Sequence, residues 1–241
     1  MKSTRSIGIV HLYAREMNIY GDNGNVIVIK KRLEARGYKV NLKQLNVGDA
    51  KSLNDVDIII GGGGQDSGQL KVERDLLRSK AEFMTASEDG VTMLMICGMY
   101  QLFGNYFLTK DNLKVEGLGI FDLLTEGDQK RMIGNVLIDT AFGELVGFEN
   151  HSGKTILGVG QKALGTVFKG AGNNGDSGDE GAIVNNTFAS YLHGPMLPKN
   201  PAFADELIKR AVERKYGESV IEPLDDTLEK SAFEHAKSLS Y

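Results

Sequence analysis

The 241-residue sequence has little of several residue types, and each scarcity excludes a class of protein. It contains one cysteine, no tryptophan and four histidines. A single cysteine cannot form an internal disulfide, and the scattered histidines show no zinc-ligand spacing with Cys97. No hydrophobic run approaches the about 18 residues of a membrane-spanning helix. We therefore expect neither a disulfide scaffold, nor a metal site, nor a membrane span.

The sequence also lacks a large excess of either positive or negative charge. The formal net charge is −4, which argues against a surface for nucleic acid or anionic membranes. With 41% hydrophobic and 25% charged residues, the composition is that of an ordinary globular protein. No signal-peptide core follows the N-terminus, so the reducing cytoplasm is the expected compartment. We expect one domain over residues 1–241, with a helical extension from about residue 218 to 241.

Strand-like and helix-like segments alternate in the first half of the chain. This order predicts an α/β fold, with a doubly wound, mostly parallel sheet and flanking helices. Extra short strands and a polar loop at 169–181, expected to be mobile, follow in the second half. The predicted strands are 6–13, 39–45, 56–60, 91–97, 132–139, 145–150, 163–168 and 188–192, and the predicted helices are 26–36, 69–86, 201–217 and 225–240.

The single cysteine ends a short apolar run that is typical of a buried parallel strand. Gly98 follows it at once and permits a sharp turn into a helix. A residue at such a turn projects from the carboxyl end of the sheet, where open α/β folds bind ligands. A helix N-terminus also favours the thiolate, which is the nucleophilic form. Cys97 is therefore a candidate nucleophile, although a buried structural thiol is the alternative.

Two further features are predicted at the same end of the sheet. Four glycines, Gly61–Gly64, follow a predicted buried strand, and their N–H groups, with that of Gly98, are candidates to hold an oxyanion. His193 follows another predicted strand. A histidine can take the proton of a thiol and later protonate a leaving amine. A lone histidine is more often structural, so its pairing with Cys97 carries this prediction.

Several segments, taken in order, resemble one family. They are Ile60–Gly64, Ile96–Gln101 and Ser190–Pro195, together with 18–25, 116–120, 146–151 and 193–200. The chain resembles a class I (triad-type) glutamine amidotransferase domain of the cobyric acid synthase-like branch. The resemblance runs from about residue 6 to the end of the helix after Pro201. Within that branch it is similar to glutaminase subunits of a lipid II-amidating ligase of Gram-positive bacteria.

The resemblance implies a role for each matched residue. Cys97 is the nucleophile that forms a γ-glutamyl thioester with L-glutamine, and His193 is the general base and acid. The oxyanion positions match Gly63 or Gly64, with Gly98. Gln101 and Arg131 match substrate-binding positions. A guanidinium at 131 suits the α-carboxylate of free glutamine, which it can hold by two hydrogen bonds.

The resemblance also implies a partner. Ammonia would pass to a Mur-ligase-like subunit in a heterodimer, and that subunit would use ATP to amidate the D-glutamate of lipid II to D-isoglutamine. This subunit itself would need no cofactor, and it would reach membrane-bound lipid II only through the partner. The C-terminal helix and the loop at 170–181 are candidate contacts.

Two positions depart from the family pattern. Triad amidotransferases usually carry a glutamate two residues after the histidine, where this chain has Pro195. Glu149 and Asp22 are candidates to orient His193 instead, and the sequence does not rank them. Met99 occupies a position that is usually glycine, and it requires a negative φ or a pocket for its side chain.

Two alternative functions stay open at this point. The same glutaminase half-reaction could serve another acceptor, such as a corrinoid carboxylate. From a different class, the chain could be a catalytically silent subunit that positions a ligase. Retention of Cys97, His193, Gln101 and Arg131 argues against silence, whereas Met99 and the missing glutamate keep that alternative alive.

Overall fold

The computed structural model describes residues 5–239. Within them it has twelve strands, six α-helices and one 3₁₀ turn. The elements are β1 (Ser6–Leu12), α1 (Asn23–Ala35), β2 (Lys39–Leu45), β3 (Ile58–Gly61), α2 (Asp66–Arg78), α3 (Lys80–Glu88), β4 (Thr92–Ile96), α4 (Gly98–Phe103), β5 (Tyr106–Leu108), β6 (Lys114–Glu116), β7 (Leu123–Thr140), β8 (Gly143–Leu157), β9 (Gly165–Lys169), β10 (Asp179–Glu180), β11 (Ala182–Val184), β12 (Thr187–Ser190), the 3₁₀ turn (Leu197–Lys199), α5 (Pro201–Tyr216) and α6 (Thr227–Ser238). The predicted domain limits and the predicted helix end at 240 lie outside the described residues.

The first sheet has the strand order β11-β12-β4-β3-β1-β2, and only the β11–β12 pair is antiparallel. Its central strands β3, β4 and β12 are wholly buried. Most residues of these strands are apolar, as expected for strands of a parallel sheet that helices cover on both faces. The predicted parallel α/β sheet is therefore confirmed. Its parallel strands bring the segments after β1, β3, β4 and β12 to one edge.

The second sheet is built around a long antiparallel ribbon. β7 and β8 pair over most of their length, with a register shift between Gly127 and Met132. β9 and β5 flank β7. The strands predicted at 132–139 and 145–150 are interior parts of this ribbon. The polar stretch 127–131 and the register shift hide the continuity, because the hydrophobic alternation stops there.

Two other elements differ from prediction. The helix predicted at 69–86 is two helices, α2 and α3, which meet at Ser79 with φ −105° and ψ 19°. The apolar periodicity continues across this joint, so the pattern does not reveal it. The loop at 169–181, predicted as mobile, has fixed partners: Ala171 and Gly172 donate backbone hydrogen bonds to the Glu149 carboxylate, and Asn173 is fully buried.

The C-terminal helices lie close to their predicted positions. α5 begins at Pro201 and ends before Gly217, which has φ 72° as expected for a left-handed helix stop. Asn200 does not cap α5 with its side chain, because that amide pairs with both backbone groups of Val146. Arg32 of α1 binds both Asp205 and Asp226 and so tethers the segment before α6. No helix among residues 5–239 is long and apolar enough to cross a membrane.

Candidate active site

Cys97 occupies a strained turn between β4 and α4. Its φ is 50° and its ψ is −104°, a conformation that L-residues rarely adopt and that costs on the order of 1–3 kcal/mol. Its backbone N–H donates to Ser190 O at 2.9 Å, which joins the turn to the end of β12. Such a strand-to-helix turn directs a nucleophile away from the sheet.

Met99 fits this turn without strain. It lies within α4, it is not among the positive-φ residues, and it is fully buried. Its side chain packs over Gly61, where an added Cβ would lie only 2.9 Å from Met99 Cγ. The space for the Met99 side chain, which the sequence analysis required, is therefore left by a glycine of the neighbouring strand. Glycine is thus not needed at position 99.

The glycine loop after β3 supplies one of the two candidate oxyanion donors. The Gly63 N–H already donates to Asp22 Oδ2 at 2.7 Å, so it is not available to a substrate. The N–H groups of Gly64 and Gly98 have no partner among residues 5–239. The two residues are in contact, since a Cβ added to Gly98 would lie 3.1 Å from Gly64 N. Of the alternatives Gly63 and Gly64, the geometry therefore favours Gly64.

His193 lies beside both the glycine loop and the cysteine. A Cβ added to Gly63 would be 2.7 Å from His193 Cε1 and 3.3 Å from Cys97 Cβ. The backbone of His193 pairs with Phe148 of β8, and its ring packs against the Tyr20 ring at a centroid distance of 4.5 Å. The two predicted catalytic side chains therefore flank one glycine.

The electrostatic surroundings of His193 favour its protonated form. Burial lowers the pKa of His193, but Cys97 and Asp22 outweigh burial and raise it to about 10. His193 Nδ1 lies 3.5 Å from Asp22 Oδ2, the distance of an ion pair and not of a short hydrogen bond. A protonated imidazole beside a cysteine can donate a proton to a leaving group, which is the role of the histidine in cysteine–histidine pairs.

The second candidate for orienting His193 is occupied elsewhere. Both carboxylate oxygens of Glu149 accept backbone hydrogen bonds from the loop at 171–172. Burial raises the pKa of Glu149, against the effect of those two hydrogen bonds. The structure thus separates Glu149, which holds a loop, from Asp22, which faces the histidine.

An open cleft of about 570 Å³ extends from Cys97 to the β7–β8 ribbon. Arg131 lies at its rim and is exposed. The guanidinium donates to the side-chain and backbone oxygens of Asn150 and approaches the Tyr20 hydroxyl at 3.4 Å. Among the described residues, no carboxylate lies within 4.0 Å of it. The cleft thus contains a cation whose partners are all neutral, which suits an incoming carboxylate.

Gln101 also lines the cleft, but its side chain is already engaged. Its Oε1 accepts from Gln69 Nε2 at 2.7 Å, and its Nε2 donates to Tyr191 OH at 3.0 Å. Gln69 further donates to Gly98 O. This buried amide network holds α4 in place below the cleft. A direct contact between Gln101 and substrate stays a prediction.

The structure also adds residues to the cleft that the sequence did not single out. Tyr20 contacts both His193 and Arg131, and Asn150 fixes the guanidinium. Met17 is buried against the glycines, since its Cε lies 2.7 Å from a Cβ added to Gly98. Tyr20 and Asn150 fall within the segments 18–25 and 146–151 of the resemblance. That match was the one available signal, because nothing local distinguishes these side chains.

A thiol at a strained strand-to-helix turn, next to a buried histidine and a glycine loop at one sheet edge, defines a class of α/β protein with a cysteine–histidine site. Comparison with known proteins narrows the class. A family model for the CobB/CobQ-like glutamine amidotransferase domain matches residues 8–201. The chain belongs to this family.

Individual relatives agree with that assignment. The chain is 40% identical over 208 residues to the lipid II isoglutaminyl synthase (glutamine-hydrolyzing) subunit GatD of Staphylococcus aureus, covering 86% of this chain and 85% of the relative. It is 38% identical to GatD of Streptococcus pneumoniae, over 89% and 84% of the two chains. A glutamine amidotransferase crystal structure matches 84% of this chain and 98% of its own, with a TM-score of 0.59 and 16% identity, which shows the shared fold.

Proposed function

We propose that this chain is the glutaminase subunit of a lipid II isoglutaminyl synthase. It hydrolyses L-glutamine through a thioester on Cys97 and supplies ammonia to a Mur-ligase-like subunit (MurT) in a heterodimer. The observation that carries the proposal is the joint placement of Cys97 and His193 against Gly63, in a chain that shares about 40% identity with GatD over most of both lengths.

Glutamine fits the cleft in one orientation. Its α-carboxylate pairs with the Arg131 guanidinium at the rim, where Asn150 and Tyr20 already fix the position of that group. Its side-chain amide then reaches towards Cys97 at the other end of the cleft. Binding the charged end of the substrate far from the reacting carbon positions that carbon without hindering attack.

The reaction then proceeds by two acyl transfers. Cys97 Sγ attacks the amide carbon, and the oxyanion accepts hydrogen bonds from the N–H groups of Gly64 and Gly98, each typically worth about 3 kcal/mol of barrier. The His193 imidazolium donates its proton to the leaving nitrogen, the carbon–nitrogen bond breaks, and ammonia departs. Neutral His193 next takes a proton from water, whose oxygen attacks the thioester. Glutamate leaves and the thiolate–imidazolium pair is restored.

The ammonia product explains the proposed partner. Ammonia becomes an amide only when an activated carboxylate is available, and nothing in the mechanism above activates one. The partner would use ATP to activate the D-glutamate carboxylate of lipid II, and this subunit would require no cofactor. In this proposal the complex works at the cytoplasmic face of the membrane, which lipid II reaches by its own anchor.

The first test measures glutamate release by this chain co-purified with the Mur-ligase-like subunit from the same organism. We expect Cys97→Ala and His193→Ala to lose at least about 1,000-fold of the activity. Asp111→Asn is the control, because Asp111 is exposed on the turn between β5 and β6, away from the cleft and from both candidate partner contacts, and its replacement should leave the rate unchanged. Persistent release by Cys97→Ala would reject the thioester mechanism.

A second test separates the glutaminase from the amide-forming step. The Cys97→Ala complex should amidate lipid II with ammonium chloride and ATP, but not with glutamine and ATP. Mass spectrometry of the stem peptide would detect the loss of about one mass unit that replaces hydroxyl by amide. Failure of the wild-type complex to amidate lipid II, despite glutamate release, would point to another acceptor such as a corrinoid carboxylate.

A further inference from the structure

Asp22 is a buried carboxylate that lies between the glycine loop and His193. It lies immediately before α1, at the end of the connection from β1, and it is almost completely buried. One of its oxygens, Oδ2, accepts the Gly63 N–H at 2.7 Å and lies 3.5 Å from His193 Nδ1. A single carboxylate oxygen therefore contacts both the glycine loop and the histidine.

The first turn of α1 is fastened to the segment that follows His193. Gly24 packs so closely on the ring of Pro195 that an added Cβ would overlap its Cγ and lie 3.1 Å from its Cβ. One residue further, Asn25 Oδ1 accepts the backbone N–H of Leu197 at 2.9 Å. These contacts fix the distance between Asp22 and His193, because both ends of the pair belong to interlocked segments.

Pro195 stands at the position where related triad enzymes carry their glutamate. A glutamate there would be two residues from the histidine along the chain, whereas proline offers no acid and instead packs against Gly24. Where related enzymes have an acid, this chain has a proline that makes a tight contact with the first turn of α1. The contact brings a carboxylate from a distant part of the sequence to the same histidine.

We propose that Asp22 is the positioning residue that orients the His193 imidazole and the Gly63 loop together, and that the packing of Pro195 on Gly24 sets its distance from His193. The proposal rests on the proposed glutaminase function. A carboxylate facing Nδ1 keeps the proton there and leaves Nε2 to exchange protons with Cys97 and the substrate. Through Gly63, the same carboxylate holds the loop whose next residue is the candidate oxyanion donor Gly64.

The charges around the pair agree with this role. Five groups face His193 or Asp22: Cys97 at the turn before α4, Tyr20 beside the His193 ring, His151 on β8, Glu180 on β10 and His11 on β1. Burial lowers the pKa of both His11 and His151, the latter to about 3, so these two rings are neutral. Burial raises the pKa of Glu180 to about 8, so it is largely protonated at pH 7. Among these groups, Asp22 has the carboxylate that lies within ion-pair distance of His193, at 3.5 Å from Nδ1.

The test compares Asp22→Asn, Gly24→Ala and the control Asp111→Asn, an exposed carboxylate on the β5–β6 turn. Glutaminase kinetics are measured on the complex with the ligase subunit. The rate of Cys97 alkylation by iodoacetamide is measured against pH on the full chain. Asparagine retains an oxygen that can accept the Gly63 N–H, so this variant removes the charge and preserves the shape.

We expect Asp22→Asn to lower kcat by about 100-fold with KM changed less than about threefold. The upper inflection of the alkylation profile, which reports loss of the imidazolium proton, should move to lower pH. The reason is that the imidazolium loses its anionic partner, so its pKa falls. Gly24→Ala keeps the carboxylate but pushes α1 from Pro195, and it should shift the inflection in the same direction. Asp111→Asn should match the wild type.

Each other outcome rejects the proposal. A fall in kcat without a shifted inflection in either Asp22→Asn or Gly24→Ala would show a merely structural role. Unchanged kcat and profile in Asp22→Asn would remove Asp22 from the mechanism. If Asp22→Asn does not fold, the decision falls to Gly24→Ala. Cys97→Ala shows which proposal has failed. If Cys97→Ala is inactive, the glutaminase function holds and only the role of Asp22 is rejected; if it is active, the glutaminase proposal itself is rejected.

Discussion

The two sheets of this protein divide the site between them. The first sheet is parallel and buried, and the segments after β1, β3, β4 and β12 carry Asp22, the glycine loop, Cys97 and His193. The second sheet is mainly antiparallel and half-exposed, and its β7–β8 ribbon carries Arg131 and Asn150. One sheet thus holds the groups proposed to react, and the other holds those proposed to bind the charged end of glutamine.

This division has a physical reason. A strained residue such as Cys97 persists only where its surroundings are over-determined, and buried parallel strands provide that constraint. An exposed ribbon is less constrained, but it can present a guanidinium to solvent where the substrate enters. The comparison therefore predicts that changes in the first sheet act on kcat and that changes in the ribbon act on KM.

Among the variants that test this comparison, Gly63→Ala is expected to have the largest effect. The new Cβ would lie 2.7 Å from His193 Cε1 and 3.3 Å from Cys97 Cβ, so both side chains must move. A displacement of that size costs about 100-fold in kcat. Steady-state glutaminase kinetics on the complex would measure it. A variant with wild-type kcat would show that Cys97 and His193 tolerate displacement. It would contradict the prediction that changes in the first sheet act on kcat.

Arg131→Ala is expected to act mainly on KM. Loss of the charge-assisted hydrogen bonds to the α-carboxylate should raise KM about 10- to 100-fold and change kcat less than about threefold. Lys130→Ala, an exposed neighbour on the same ribbon, is the matched control. The glutamine dependence of glutamate release gives both constants. A large fall in kcat with unchanged KM would place Arg131 in the chemical step and remove the division between the sheets.

A smaller effect is expected where the two sheets meet. Glu180 of β10 is buried, accepts the backbone N–H of Tyr191 at 2.6 Å and has a pKa raised by burial from 4.5 to about 8. The folded state therefore binds this proton more tightly than the unfolded state, and stability falls as the pH rises from about 4.5 to about 8. Glu180→Gln should remove that part of the pH dependence of Tm.

The control for this experiment is Glu126→Gln, since Glu126 is an exposed carboxylate on β7. Thermal unfolding followed by circular dichroism between pH 5 and pH 9 would be sufficient to compare the three proteins. Identical pH profiles for wild type and Glu180→Gln would show that Glu180 is ionised in the folded state. The joint between the sheets would then tolerate a buried charge.

The smallest effect is expected for Asp128→Asn on the exposed ribbon. Asp128 pairs with Lys154 at 3.0 Å, and surface ion pairs of this kind contribute little because water screens them. We expect no resolvable change in Tm or in KM. A clear rise in KM would extend the binding region beyond Arg131 along the ribbon.

Sequence patterns predicted the first sheet better than the second. Continuous apolar runs and glycine stops mark β3 and β4, and their order predicts the parallel arrangement. Only parts of the ribbon were predicted as strands, because its exposed, polar stretch near Arg131 lacks the alternation of apolar and polar residues. The joint at Ser79 was missed for the opposite reason, since the apolar period there continues across two helices.

The candidate site shows the same limit. Cys97, His193, Gly98 and Arg131 were predicted from motifs and from resemblance. In the structure Cys97 and Arg131 line one cleft, and His193 and Gly98 lie beside Cys97. The choice between Asp22 and Glu149 had no sequence signal, because neither lies near His193 along the chain. The hydrogen bond from the Gly63 N–H to Asp22 could not be predicted from the sequence either.

The sequence by itself determined the class of fold, the family and the two residues proposed to react, because these depend on local hydrophobic runs and on short motifs in fixed order. Only the tertiary structure decided which carboxylate faces His193, which glycine N–H is free and where Met99 finds its pocket. Those answers depend on contacts between segments up to about 170 residues apart, such as Asn25 with Leu197. No local pattern encodes such a contact, since it arises only when packing closes the chain on itself.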